Sequence, residues 1–309
     1  MNEYRRSLLS LAGPKYWPVW LGFGLMRAAC VLPFPLHIRL GRLLGRAIYR
    51  LAPGRRAIAL RNLELCFPEF TEAEIGALLK RHFESFGASI AEVSLAWWAG
   101  PRMRRDRITF SGGEHIDAAL AKGKGVILVA AHYTAFEMAV PAMHAWRDRL
   151  CGMYRPNDNN LANELIIRGW ERGLAQTIPK RNVRGMIRAL RDNMLVWYAP
   201  DQGYRRKNSA LVRFFHELAP TSTTTSRIAK ATGATVILLS AHRLPDDSGY
   251  IVEAHAPLEN FPSEDPEADT RRINEMIEEG IRKAPDQYYW THRRFKKRPH
   301  PLPDLYADI

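Results

Sequence analysis

The chain has 309 residues, 46% of them hydrophobic, and 45 Lys and Arg against 32 Asp and Glu give a formal net charge of +13. That length supports one large domain or two small ones, the composition argues against a disordered chain, and the charge favours nucleic acid, anionic membrane or polyanionic small molecules as partners. Cys30, Cys66 and Cys151 lack metal-ligand spacing, so we expect reduced thiols in a cytosolic compartment.

The N-terminal region contains an apolar, aromatic stretch from Tyr16 to Met26, which Arg27 interrupts and Pro33 ends. It is marginal for crossing a bilayer, which takes about 20 apolar residues, and no cleavage site marks it as a secretory signal. Trp17 and Trp20 suit the membrane–water interface. The stretch therefore favours membrane association.

A basic amphipathic helix is predicted next, because leucines recur at helical spacing while Arg39, Arg42, Arg46 and Arg50 occupy another face. Such helices lie on anionic lipid. The alternative is a core helix with a solvated basic face, and the neighbouring aromatic stretch favours the membrane. We therefore divide the chain into a membrane-associating helical segment, residues 1–50, and a globular domain, residues 51–309.

The globular domain begins with a long predicted helix, Phe70 to Trp98, with Thr71 and Glu74 at capping-box positions. Strands and helices then alternate. The predicted strands have the sequences GVILVAAH, LCGMYRP, MLVWYAPD, ATVILLSAHRL and YIVEAHAPL. The predicted helices are Ala135 to Trp146, NLANELIIRGWERG, Val183 to Asp192, TSTTTSRIAKATG with threonine caps, and Asp269 to Lys283. This alternation predicts an α/β fold with a mixed, largely parallel sheet covered by helices.

His132 ends the apolar strand that starts at Gly125, and Glu137 lies at the start of the following helix. Functional groups gather at the carboxyl ends of such strands. We expect the Glu137 carboxylate to turn back to one ring nitrogen, so that the other can take a proton from a substrate hydroxyl. The alternative is a structural histidine and a glutamate that the helix dipole favours. The spacing does not suit zinc, and we expect no metal.

Several segments resemble a known family: "RRAIALRNLELCFPEFTEAE", "MYRPNDNNLANELI", "VWYAPDQGYRRKNSALVRFF" and "APDQYYWTHRRFKKRP", together with His-x-x-x-x-Glu and the start "PKYWPVWLGFG". In order and spacing, from about Pro14 to Pro299, they resemble the late acyltransferases of lipid A biosynthesis, and most of all the lauroyl transferase branch. The resemblance implies a glycerolipid acyltransferase-like fold with an N-terminal membrane anchor. It also places the enzyme at the bacterial inner membrane, with the catalytic domain on the cytoplasmic face.

The resemblance implies an acyl carrier protein thioester as donor, without a further cofactor. It further implies that the acceptor is a hydroxyl on a Kdo-bearing tetraacylated lipid A precursor. His132 becomes the general base and Glu137 its orienting partner. Arg155 would hold an anionic substrate group or the oxyanion, although a surface ion pair is the alternative. Asp201 would support the site, and a turn-capping role is its alternative.

Further cations are expected to bind the anionic groups of the lipid. Arg184, Arg205 and Arg206 follow predicted elements on the side where His132 should open. Gly203 stands where many relatives have an acidic residue, which leaves this loop more basic. The tail Thr291–Pro299 is also basic, and we interpret it as a contact for phosphates or lipid headgroups rather than for nucleic acid.

Three other functions compete with this interpretation. An acyltransferase for another glycolipid or a lysophospholipid would carry the same motif. A basic nucleic-acid-binding protein would need base-stacking or groove-binding motifs, which we do not find, and it would leave the aromatic N-terminus unexplained. A degenerate scaffold is disfavoured by the intact His132 and Glu137.

Overall fold

The structure, a computed structural model, describes residues 5–100, 105–147, 149–203 and 207–309. The α-helices are α1 (Trp17–Ala29), α2 (Phe34–Leu51), α3 (Pro53–Cys66), α4 (Glu72–Trp98), α5 (Gly113–Leu120), α6 (Ala139–Trp146), α7 (Asn160–Trp170), α8 (Val183–Arg191), α9 (Thr224–Thr232) and α10 (Pro266–Lys283). The strands are β1 (Ile108–Ser111), β2 (Val126–Val129), β3 (Leu150–Tyr154), β4 (Gln176–Pro179), β5 (Leu195–Tyr198), β6 (Ser209–Phe214), β7 (Glu217–Ser222), β8 (Thr235–Arg243) and β9 (Tyr250–Ala254).

The central sheet has seven strands in the order β1-β9-β8-β2-β5-β3-β4. Strands β8, β2, β5, β3 and β4 run parallel to one another, whereas β9 pairs antiparallel with β8. The predicted mixed, largely parallel sheet is confirmed. Strands β1 and β4 and the separate β6–β7 hairpin were not predicted, because each is short or lacks a continuous apolar run.

Helices cover both faces of this sheet. All four residues of β2 are buried, and they alternate between two apolar cores. Ile127 and Val129 belong to the core built with α3, α4, α8, α9 and α10, while Val126 and Leu128 belong to the core with α5 and α6. Burial on both faces explains the unbroken apolar sequence of this strand.

The helix termini agree with the sequence in one case and not in another. The Thr71–Glu74 capping box at the start of α4 is confirmed, since each side chain bonds the other residue's backbone N–H. The predicted threonine cap of "TSTTTS" is wrong: β7 extends to Ser222, and Thr223 makes no side-chain capping bond to α9. Only Thr221 and Ser222 of this segment belong to β7, whereas Thr224 already lies in α9.

The second helix packs closely along α4. A Cβ on Gly45 would lie 2.0 Å from the carbonyl oxygen of Phe83, and one on Gly87 would lie 2.2 Å from that of Gly41. Only glycine permits this backbone approach. Helix α2 is therefore docked on the globular domain, and the division of the chain at residue 50 stays a prediction.

Apolar side chains are exposed mainly on the N-terminal helices. Ten of the twelve large hydrophobic residues that are exposed in the described chain lie between Leu9 and Leu51. On α1 they are Trp17, Leu21 and Leu25, four residues apart and therefore on one face. Within the described ranges, no helix combines the length and hydropathy that a membrane-spanning segment needs.

Candidate active site

Residues 130–134 form the loop that follows β2, here called the His132 loop. A segment from near the end of the chain holds it. The backbone N–H of Tyr289 donates to the carbonyl oxygen of His132 at 3.0 Å, and that of Thr134 donates to the carbonyl oxygen of Gln287 at 2.6 Å. Between these two bonds, Tyr133 bridges to Tyr288 in antiparallel fashion. The loop thus has a short β-bridge as its support, although it belongs to no strand.

The imidazole of His132 pairs with Asp201. Its Nδ1 lies 2.6 Å from Oδ1 of Asp201, and its backbone N–H donates to Oδ2 at 3.0 Å. Asp201 follows β5, the parallel neighbour of β2, so both residues reach the same edge of the sheet. A carboxylate on Nδ1 fixes the tautomer with Nδ1–H, which leaves Nε2 as the acceptor. The His132 side chain is 31% exposed, so Nε2 can meet a substrate.

The two members of this pair shift each other's pKa in opposite directions. Burial opposes ionisation of Asp201, but the charge of His132 and the two hydrogen bonds from that residue lower the pKa of Asp201 to about 2. Burial also disfavours the charged imidazole, yet the charge and hydrogen bond of Asp201 outweigh it and raise the pKa of His132 above its ordinary value. Asp201 therefore stays ionised at neutral pH and stabilises the imidazolium that proton uptake creates.

Three further residues near this pair were not singled out from the sequence as site residues. Arg294 is buried, donates to Pro220 O and Thr221 Oγ1, and its charge helps to lower the pKa of Asp201. The buried hydroxyl of Tyr288 has a raised pKa because of burial and the charge of Asp201. The pKa of His292 is lowered to about 4, first by burial and then by nearby cations that include His132. His292 is therefore neutral beside His132 at neutral pH.

The expected pairing of Glu137 with His132 is wrong, because Asp201 occupies that position. Glu137 is buried, and both of its carboxylate oxygens accept from the indole N–H of Trp170 at 3.0 Å. Burial raises the pKa of Glu137 to about 7 although hydrogen bonding opposes the shift. The 3-10 turn Phe136–Met138 before α6 points this side chain into the protein rather than back toward the loop.

Replacing Glu137 with glutamine should change how stability depends on pH. A carboxyl group whose pKa is higher in the folded than in the unfolded protein destabilises the fold as pH rises between the two values. Relative to wild type, Glu137→Gln should therefore gain about 2 kcal/mol in unfolding free energy between pH 5 and pH 8. Urea denaturation at both values measures this, with Glu72→Gln as the control, since Glu72 is exposed in the first turn of α4. An equal pH dependence in Glu137→Gln and wild type would contradict it.

The other predicted site residues lie along the same sheet edge. Arg155 follows β3, and Arg184 is the second residue of α8, which follows β4. The spatial order β2-β5-β3-β4 therefore gives the order His132, Asp201, Arg155, Arg184, with β4 roughly 14 Å from β2. The Arg155 side chain is 72% exposed and 4.0 Å from Asp158, so it is available to a ligand. Arg205 and Arg206 lie outside the described residues.

The basic tail does not form one solvated surface. Arg294 is buried, Arg298 pairs with Glu217 at 3.0 Å, and Arg293 donates to the carbonyl oxygen of Ile309. Lys296 remains half-buried, and burial together with the charges of Lys297, Arg155 and Arg293 lowers its pKa. Lys296 and Arg155 are thus neighbours at the site edge, whereas most of the tail's arginines stabilise the fold.

The described residues contain no group of three or more His, Cys, Asp or Glu that could hold a metal ion. What the site contains is an imidazole fixed by a buried carboxylate, with its second nitrogen open and cations beside it. Such an arrangement can accept a proton from a hydroxyl group, and the neighbouring cations can bind an anionic group.

Comparison with known proteins gives the family. The model of the bacterial lipid A biosynthesis acyltransferases matches residues 6–297. The lauroyltransferase of lipid A biosynthesis from Escherichia coli K12 is 37% identical over 99% of this chain and 100% of its own length. The palmitoleoyltransferase of the same strain is 33% identical over 95% of each chain, and its myristoyltransferase is 27% identical over 96% of this chain and 94% of its own.

The chain is thus an acyltransferase. It belongs to the bacterial lipid A biosynthesis acyltransferase family.

Proposed function

We propose that this protein moves a fatty acyl chain, lauroyl or one of similar length, from an acyl carrier protein thioester to a hydroxyl of a Kdo-bearing tetraacylated lipid A precursor. The His132–Asp201 pair carries this proposal, because it supplies a base for the acceptor hydroxyl. The names of the relatives support lipid A biosynthesis as the process and acyl transfer as the reaction. No further cofactor is needed, since a thioester is already activated for acyl transfer.

The chemistry follows from the two nitrogens of His132. Nε2 takes the proton of the acceptor hydroxyl as its oxygen attacks the thioester carbonyl carbon, and Asp201 stabilises the imidazolium through Nδ1–H. The tetrahedral intermediate then collapses, the carbon–sulfur bond breaks, and the imidazolium returns the proton to the leaving sulfur. An ester and a free thiol result, and His132 is again neutral.

The cations at the sheet edge provide the means to hold anionic substrate groups. Arg155 lies near Lys296 at this edge, beyond Asp201 as seen from His132, and Arg184 lies farther along the same edge. The phosphates and carboxylates of a lipid A precursor and the phosphopantetheine phosphate of the donor are all anionic. Bound by these cations, they would place the reacting hydroxyl and thioester at Nε2.

Product analysis by mass spectrometry tests this function. The purified protein is incubated with an equimolar mixture of acyl carrier protein thioesters of different chain length and the tetraacylated precursor. We expect a pentaacylated product that comes mainly from a lauroyl-length donor. The His132→Ala variant serves as the negative control. A product formed only when a lysophospholipid replaces the precursor would overturn the acceptor, and transfer from acyl coenzyme A alone would overturn the donor.

Arg155→Lys should lose much of kcat/KM despite keeping the positive charge. A guanidinium binds a phosphate or carboxylate through two parallel hydrogen bonds, which an ammonium group cannot reproduce. We expect a loss of about 10-fold or more. Arg147→Lys is the matched control, since Arg147 pairs with Asp117 and lies before β3, at the other end of that strand. Steady-state kinetics that give equal losses in both variants would contradict a substrate contact at Arg155.

We also propose that the N-terminal helices bind the protein to the inner membrane, with the catalytic domain on the cytoplasmic face. On α2, exposed leucines such as Leu36, Leu40 and Leu44 share one face, and His37 and Gly41 on another face are buried against α4. Exposed arginines, Arg39 and Arg50, border the leucines. An apolar stripe with a basic border suits the surface of an anionic leaflet.

The double substitution Leu21→Glu and Leu25→Glu should release the protein from anionic membranes. Both leucines are more than 60% exposed on α1, so the carboxylates disturb no core but are repelled by the anionic surface. Flotation with phosphatidylglycerol vesicles measures binding, and Ile251→Glu, which changes an exposed residue on β9, is the control. If the double variant floats as well as wild type, these helices are not the membrane contact.

A further inference from the structure

We propose that a ring of buried hydrogen bonds beneath the His132 loop positions the imidazole, and that Thr134 is the residue through which the ring acts. The ring consists of Thr134, Ser85, Arg243 and Gln287, here called the Thr134 ring. The inference rests on the proposed function in one respect, since it assumes that His132 is the base.

The side-chain half of the ring runs from the loop to α4. Thr134 Oγ1 lies 2.8 Å from Ser85 Oγ, and Ser85 Oγ accepts from a terminal nitrogen of Arg243 at 3.0 Å. The guanidinium is itself fixed, because its Nε and the other terminal nitrogen donate to the two carboxylate oxygens of Glu92 at 2.6 and 2.9 Å. Glu92 and Ser85 are both on α4, two turns apart.

The backbone half of the ring returns to the loop through Gln287, in the turn that follows α10. The side-chain amide of Gln287 accepts from the backbone N–H of Arg243 and donates to its carbonyl oxygen, both at 2.8 Å. The carbonyl oxygen of Gln287 then accepts from the backbone N–H of Thr134 at 2.6 Å. All ring members are at most 6% exposed. The ring therefore closes on the residue where it began.

The ring ties three distant parts of the chain to one point beside the base: α4, the last residue of β8, and the turn that follows α10. Among the described residues, Thr134 makes both of the ring's hydrogen bonds to the His132 loop. His132 itself is held by Asp201 and Tyr289. Thr134 thus sets the direction in which the loop leaves the site, two residues after the imidazole.

A buried ion pair with several hydrogen bonds could serve stability alone. The side-chain arrangement favours positioning because a threonine at this point is bonded through both its backbone and its branched side chain, which locks the loop in two directions. The bond between His132 Nδ1 and Asp201 tolerates little movement, and a displacement of about 1 Å near a reacting group can cost on the order of 100-fold in rate. The two roles predict different results.

Thr134→Val removes the hydroxyl and keeps the shape. We expect kcat to fall about 10-fold, because the substitution disturbs the orientation of His132. KM should change less than about 2-fold, because the substitution leaves the substrate contacts intact. Thr134→Ser keeps the hydroxyl and should restore at least about half of kcat. The control is Ser226→Ala, which removes a buried 2.6 Å hydrogen bond to Asp269. It should lower the melting temperature at least as much as Thr134→Val without lowering kcat.

A second measurement needs no substrate. In protein labelled with 13C-histidine, the His132 signal is assigned by its absence in His132→Gln, and its titration is followed in wild type and Thr134→Val. A loosened contact with Asp201 should move the midpoint of His132 back toward the ordinary value for histidine. An unchanged midpoint in Thr134→Val overturns the positioning role, whatever happens to kcat. Absence of acyl transfer in wild type would instead overturn the proposed function, and the titration would still decide the role of the ring.

Discussion

His132→Ala is expected to lower the rate of acyl transfer by about two to four orders of magnitude, since a general base contributes on that scale. Among the described residues, the His132 side chain belongs to neither of the two apolar cores of the sheet, and its Nδ1 is hydrogen-bonded to Asp201. The variant should therefore fold and bind membranes as wild type does. Single-turnover measurements with saturating donor and acceptor test the chemical step directly.

The matched control for this variant is His115→Ala. The exposed fractions of the two side chains are similar, 37% for His115 and 31% for His132, but His115 lies on α5 beside Glu114. We expect its rate to equal that of wild type. Wild-type turnover in His132→Ala would show that another group accepts the proton, and His292, which is neutral beside His132, would be the first to examine.

Asp201→Asn should be the second severe variant, with a rate loss of about 100- to 10,000-fold. An asparagine amide can present its NH2 group to Nδ1, which forces the proton onto Nε2 and leaves no base toward the substrate. Asp269→Asn is the control, because Asp269 is equally buried and accepts from Ser226 and Ser263 far along the chain. If Asp269→Asn loses as much activity, the effect of Asp201→Asn is on folding.

The pH profile separates orientation from charge. Asp201 raises the pKa of His132, so the neutral, active imidazole becomes dominant only above the ordinary histidine value. In wild type, kcat/KM should therefore rise with pH through that raised pKa. In Asp201→Asn, the remaining activity should rise at lower pH, since the charge that favours the imidazolium is gone. A rise at the same pH in both proteins would contradict the coupling between the two residues.

The sequence predicts well at which sheet edge the site lies, because the ends of apolar strands can be recognised in a sequence. An apolar run that ends in His132 and another that ends in Asp201 place both residues at the carboxyl edge once the strands are parallel. The identity of the partner of His132 was predicted wrongly. Glu137 is closer in sequence, but the turn at Phe136–Met138 directs it toward Trp170. Such a turn depends on a few backbone angles and leaves no periodic pattern.

The supporting residues could not be predicted from one sequence. Ser85 and Glu92 are polar residues on the buried face of α4, and that face is recognisable only when the packing is known. In the sequence, Arg294 is one member of a basic run. Its burial is recognisable only in the structure, where it donates to the carbonyl oxygen of Pro220. Long-range hydrogen bonds like that between Gln287 and Arg243 join residues with no local relationship.

Gln287–Tyr289 lie far C-terminal to the His132 loop that they hold, so the two segments are synthesised at different times. Helices α1 and α2 with their exposed apolar stripes leave the ribosome before the His132 loop, and Gln287–Tyr289, which brace that loop, leave after it. Domains fold as their residues become available during synthesis. A nascent chain thus presents the exposed apolar faces of α1 and α2 before the His132 loop can receive its brace, and we expect a chain truncated before Gln287 to lack both this brace and acyl transfer activity.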